Sequence, residues 1–207
     1  MKSYSLIMPK SAYEIDQQSE KVDRYIVVAW VDNEAGVLAR IAGLFSGRGY
    51  NIESLAVAKV DDERNISRIT IATNGTRQVV DQINAQLLKL IPVHKVATYP
   101  IDDTSIFREL ALIKFVAESE TLKKAEQLCV DLKSIILDKT PKSFIAQYLG
   151  TRREVDSFIK KIKPLGAISI SRSGALAMKK GPETVKDNKG KVPVSYTHLT
   201  LPTKRIV

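Results

Sequence analysis

A chain of 207 residues with 44% apolar residues can bury one large core or two small ones, and none of its apolar runs approaches the roughly 18 residues of a membrane span. One cysteine excludes an intrachain disulfide and two histidines exclude the usual zinc clusters, so a reducing cytoplasm fits. The formal charge of +9 is mostly a tail property, with +1 over residues 1–99, +2 over 100–171 and +6 over 172–207, which removes the simplest case for a nucleic-acid-binding body.

Residues 1–23 are mostly polar without sustained period and read as a flexible extension; Lys2–Pro9, with only Leu6, Ile7 and Met8 as an apolar centre, makes no signal peptide. From Ile26 to Asp32 an apolar run of strand length follows. Val37, Leu38, Ile41, Ala42, Leu44 and Phe45 then recur at helical spacing over Val37–Ser46. Gly36 stands at the start of that helix, and Gly47 and Gly49 stand where a left-handed residue ends one. Strands are expected over Ile52–Val60 and Ile66–Thr73, joined by Asp61–Asn65, whose three carboxylates read as a solvated turn before a metal site. Thr76 is placed to cap a second helix with Val79, Val80, Ile83, Leu87 and Leu90 on one face, and Val93–Tyr99 completes the unit.

Residues 100–105 form a polar link, after which the element order returns. Leu110–Val116 reads as a strand, and Leu122, Ala125, Leu128, Cys129 and Leu132 mark a helix whose apolar stripe makes Cys129 a core residue. Ile135–Asp138 and Phe144–Leu149 pair across a turn containing Pro141. Thr151 and Glu154 have capping-box spacing ahead of Val155, Phe158, Ile159 and Ile162, Pro164 stops that helix, and Ile168–Ile170 closes the sheet. The fold class is α+β: two ferredoxin-like (βαββαβ) domains, 24–99 and 106–181. Beyond them 182–207 is a polar, disordered tail, whose last 14 or so residues, from Val194, fit no element and resemble adaptor-derived read-through.

A helix N-terminus offers free N–H groups and positive partial charge, so Gly36 lets an anionic group approach the main chain. Asn33 and Asn51, at the end of the first strand and the start of the second, would lie near that helix and offer amide groups to an amino acid's head group. The plainer reading is that Gly36 only turns the chain and Asn33 only caps the helix. Catalytic signals are missing: Gly47–Ile52 begins like a dinucleotide fingerprint but has isoleucine at the third glycine position and precedes a strand. There is no Walker loop and no G-x-S-x-G elbow. RNA binding through the sheet would need aromatics that Ser54–Val60 and Ile66–Thr73 lack.

The run DNEAGVLARIAGLFSGRGYNIESLAV, with SRITIAT after it, closely resembles the ACT domain of the small, regulatory subunit of acetolactate synthase. RELALIKF, ILDKTPKSFIAQYLG and SRSG resemble that family's C-terminal domain, so the resemblance spans about residues 24–181. It implies a non-catalytic subunit that activates the large catalytic subunit in branched-chain amino acid biosynthesis and confers feedback inhibition by valine or a related amino acid. It also implies a homodimer through the ACT domain, with effector sites at the interface and a use for Leu44 or Phe45 there. The effector site maps to Asn33, Gly36, Val37, Leu38, Asn51 and Ile52. Cofactors of the holoenzyme, thiamine diphosphate, Mg and FAD, are expected only in the catalytic partner; no nucleic acid, membrane or metal site is implied. The chain departs from the family at Ala35 and Ala39, where polar residues are common, at Ser169, where glutamate is usual, and over Met178–Gly181. A stand-alone ACT-type sensor controlling another enzyme or a transcription factor is the alternative.

Overall fold

The computed structural model describes residues 21–182. The expectations for the N-terminal extension and the tail fall almost wholly outside these residues; Asp23, expected in the extension, opens the first strand.

The first domain runs β1 (Asp23–Asp32), α1 (Val37–Ser46), β2 (Ser54–Asp61), β3 (Ile66–Gly75), α2 (Arg77–Leu87) and β4 (Val93–Pro100). Its sheet has the order β2-β3-β1-β4, antiparallel throughout. Central β1 is buried on both faces, which is why Ile26–Val31 reads as unbroken apolar sequence instead of alternating. Tyr25, Val27, Ala29 and Val31 face the helices and pack with Val37, Ile41 and Phe45 of α1 and Val80, Ile83 and Leu87 of α2. Phe45 is fully buried and Leu44 partly so, which leaves Leu44 as the member of that pair with surface to offer another chain.

Two local expectations are refined. The left-handed residue after α1 is Gly49 (φ 70°), whereas Gly47 is right-handed, and β2 begins at Ser54, leaving Asn51 and Ile52 in the connection before it. Thr76 caps α2 as expected, its hydroxyl accepting the Val79 N–H at 3.4 Å.

The second domain runs β5 (Ser105–Val116), α3 (Ser119–Asp131), β6 (Ile135–Thr140), β7 (Ser143–Gly150), α4 (Arg152–Ile162), a 3-10 turn (Lys163–Leu165), β8 (Ala167–Arg172) and β9 (Leu176–Lys179). Its sheet order β6-β7-β5-β8 repeats that of the first. Capping-box reciprocity holds at α4: the Thr151 hydroxyl accepts the Glu154 N–H at 3.4 Å and the Glu154 carboxylate accepts the Thr151 N–H at 2.6 Å. Cys129 lies in the core with Ile113, Phe115, Phe144 and Phe158, and burial, with the charge of Glu126 adding to it, pushes its thiol up to about 11.

β5 is longer than expected and does two jobs. Glu109–Val116 pairs with β7, while Ser105–Arg108 pairs with β9, an element with no sequence signal of its own. This two-stranded ribbon lies across the back of the first sheet, where Phe107, Ala175 and Ala177 meet Ile26, Val28, Ala72 and Tyr99 in a third core that joins the domains. The Arg68 guanidinium donates to the Ala177 carbonyl and lies 5.5 Å from the Trp30 ring centre, over the same seam. Because strand neighbours face opposite ways, Ala177→Asp should bury a carboxylate against Ile26, Val28 and Ala72 and lower stability by roughly 3 kcal/mol. Leu176→Asp, on the exposed face, should change it by less than about 1 kcal/mol. Urea denaturation followed by Trp30 fluorescence checks both.

Candidate functional site

Two ends of the first sheet carry the expected effector residues. At the end where β1 finishes, the Asn33 N–H donates to the Asn65 carbonyl at 2.8 Å, and the Asn65 side-chain amide donates to the Asn33 carbonyl at 3.1 Å. The Asn33 side-chain amide also meets the Asn65 oxygen at 3.4 Å. These bonds tie Asn33 to the β2–β3 turn, so it does not cap α1. The N-cap is Gly36 at φ 87°, with no side-chain cap. Among the described residues, the first-turn N–H groups of Val37 and Leu38 therefore have neither an intrahelical nor a side-chain acceptor. The Val37 side chain is buried beneath them and Leu38 is 41% exposed. Among the described residues, a Cβ on Gly36 would touch nothing within 4 Å. Unpaired main-chain N–H groups at the positive end of a helix are the chemistry that suits an anion.

Asn51 and Ile52 sit at the opposite end. The Asn51 carbonyl accepts the Thr73 hydroxyl at 2.7 Å, the Glu53 N–H donates to Ala72 at 2.8 Å, and Ile52 packs against the first core with its side chain half-buried. Asn33 stands beside Asn65 and Asn51 beside Thr73, so the length of β3 between those residues, about 25 Å at the rise of a strand, separates the two groups. Both asparagines adjoin α1, but at its two ends, and one chain does not bring them together.

The Asn51 end abuts the second domain. Glu53 is clamped there: its Oε2 accepts Arg24 Nε at 2.6 Å and an Arg152 N–H at 2.7 Å, and its Oε1 accepts the Asn74 amide at 2.6 Å. Burial alone would push this carboxyl up, but the hydrogen bonds from Arg24 and Asn74, with the charges of Arg152 and Arg24, outweigh it and hold it below the ordinary 4.5. Arg172 continues the network, gripping Glu109 through two bonds of 2.6 and 2.9 Å and Asp156 at 2.7 Å. The Glu109 bonds, and then Asp156, raise its affinity for the proton further, against the opposing pull of burial. Arg24, Glu53, Glu109, Arg152 and Arg172 line a cleft of about 320 Å³, together with Gly174, whose φ of 75° and closeness to Ser54 leave little room for a side chain.

Comparison with known proteins decides the family. The model for an AHAS small subunit-like ACT domain matches residues 28–95, and the model named small subunit of acetolactate synthase matches residues 108–181. The chain belongs to the acetolactate synthase small-subunit family. It is 38% identical over 163 residues to the acetolactate synthase small subunit of Haemophilus influenzae, covering 78% of this chain and 99% of that one. It is 41% identical over 152 residues to that of Buchnera aphidicola, covering 72% and 94%. It is similar in structure to the acetolactate synthase small subunit of Thermotoga maritima, with a TM-score of 0.72 at 30% identity over 77% of this chain and 99% of that one.

Within this small-subunit fold, the Glu53–Arg152 contact had no signal in the sequence. It joins residues 99 apart and is set by how the domains dock. No helix among the described residues is long and apolar enough to cross a membrane. Because the Glu53 carboxyl is held low in the folded state, its contribution to stability is present above pH 4.5 and is lost as pH falls through the lower folded value. Urea midpoints measured from pH 6 down to about 3 should therefore fall less steeply in Glu53→Gln than in the parent.

Proposed function

We propose that the chain is the non-catalytic regulatory subunit of an acetolactate synthase, which activates the large catalytic subunit and makes it sensitive to valine or a related branched-chain amino acid. Membership of the small-subunit family along both domains carries this reading, and the match over residues 108–181 favours it over a stand-alone sensor. Thiamine diphosphate, Mg and FAD then belong to the catalytic partner, and the holoenzyme works in the cytoplasm.

The effector site is a composite of two copies. The effector carboxylate takes the N–H groups of Gly36, Val37 and Leu38 of one copy, with Asn33 beside it. The ammonium takes the Asn51 side-chain oxygen of a second copy, whose Ile52 lines the apolar pocket. The separation of the two groups within one chain supports the composite. So does β2, an edge strand: pairing two β2 edges antiparallel about a two-fold axis sets the start of one strand beside the end of the other. Partly buried Leu44 on α1 is available to the same contact.

Gly36→Asp should abolish feedback inhibition while leaving activation of the large subunit, because it adds a like charge where the carboxylate binds and its Cβ meets no neighbour. The left-handed backbone costs any side chain about 1–2 kcal/mol, so Gly36→Ala is the control for strain without charge and should retain inhibition. Asn51→Ala should raise the half-inhibitory valine concentration less severely. Valine titration of the reconstituted holoenzyme reads all three; unchanged half-inhibition in Gly36→Asp would move the site elsewhere.

A further inference from the structure

Glu53 follows Ile52 directly, and its carboxylate is an acceptor shared by the two domains. Oε2 holds Arg24 from β1 and Arg152 from the first turn of α4 at the same time, while Oε1 holds Asn74 from β3. The three bonds differ in what they can release. Arg24 and Asn74 belong to the sheet that carries Glu53, but Arg152 comes from the other domain and has a second carboxylate within reach: its Nε lies 3.8 Å from Asp156. Asp156 in turn accepts Arg172 at 2.7 Å, and Arg172 grips Glu109, which is buried at the point where β5 passes from the ribbon into the second sheet. Arg152 thus stands between one acid of each domain, the arrangement a two-state contact needs.

We propose that Glu53 is a positioning residue that couples occupancy of the effector site at Asn51 and Ile52 to the second domain, by holding Arg152 in one state and yielding it to Asp156 in the other. The inference rests on the effector site proposed above. The connection from Asn51 to Glu53 is pinned at two main-chain points, the Asn51 carbonyl on Thr73 and the Glu53 N–H on Ala72. An effector drawn onto the Asn51 side chain therefore pulls on a short, tethered segment whose next side chain ends in the shared carboxylate. A shift too small to break the Arg24 bond within the sheet changes the Glu53–Arg152 separation directly, because Arg152 stands on α4 of the second domain and not on that sheet. The neighbouring cleft leaves room for the guanidinium to move.

The test is amide hydrogen exchange on the full chain, with valine, leucine and isoleucine each titrated to saturation, for the parent, Arg152→Gln, Arg152→Lys and Glu53→Gln. In the parent, the amino acid that binds should slow exchange about threefold or more in peptides covering both residues 48–60 and residues 143–158. In Arg152→Gln and Glu53→Gln it should still slow residues 48–60, with affinity within about fivefold of the parent, and leave residues 143–158 unchanged. Arg152→Lys keeps a cation for the single Glu53 contact and should restore part of the distant effect, which loss of a merely structural contact would not predict. Parent-like slowing of residues 143–158 in Arg152→Gln, or slowing confined to residues 48–60 in the parent, overturns the coupling and leaves the effector site standing. Binding of none of the three amino acids by the parent overturns the site and the coupling together.

Discussion

Strand β5 belongs to two structures at once, and the rest of the architecture follows from that. Its residues Glu109–Val116 are the centre of the second sheet, while Ser105–Arg108, paired with β9, roof the back of the first. Without the roof, Ile26, Val28 and Ala72 would expose a continuous apolar face, a cost of some 25 cal/mol for each Å² left in water. The two domains are therefore not beads on the linker of residues 101–104; each completes a surface of the other.

This docking also sets the surroundings of the two ends of the first sheet. The Gly36 turn lies at the end of the sheet where β1 finishes, while Glu53 at the other end lines the charged cleft where Arg152, Arg172 and Gly174 of the second domain converge. One chain thus presents an uncapped helix start at one end of the sheet and Asn51 beside an interdomain ion-pair network at the other.

Much of this was legible in the sequence where short-range physics decides. The bounds of α1, the cap at Thr76, the capping box at Thr151 and Glu154, and the buried Cys129 all follow from spacing that local geometry enforces. What escaped was set by long-range packing. Leu176–Lys179 is too short and too mixed to announce a strand, and Arg108 and Glu109 interrupt the apolar pattern of β5 because Glu109 is buried only through Arg172, far along the chain. Both asparagines border α1, as their places at the end of the first strand and before the second imply. Sequence distance to a helix does not say which end of the sheet a residue reaches, and here the antiparallel register of β3 sends them to opposite ends.

The two domains should unfold as one unit, and the composition of the chain supplies a reporter for each. Its one tryptophan, Trp30, borders the seam on the first sheet, and its one cysteine, Cys129, is buried in the second core, out of reach of a labelling reagent while that core is folded. Equilibrium urea unfolding followed in parallel by Trp30 fluorescence and by pulse labelling of Cys129 reads them independently. Coincident transitions with one midpoint are the result expected of domains that share β5 and its ribbon. Two separated transitions, with Cys129 exposed while Trp30 stays native or the reverse, would contradict it.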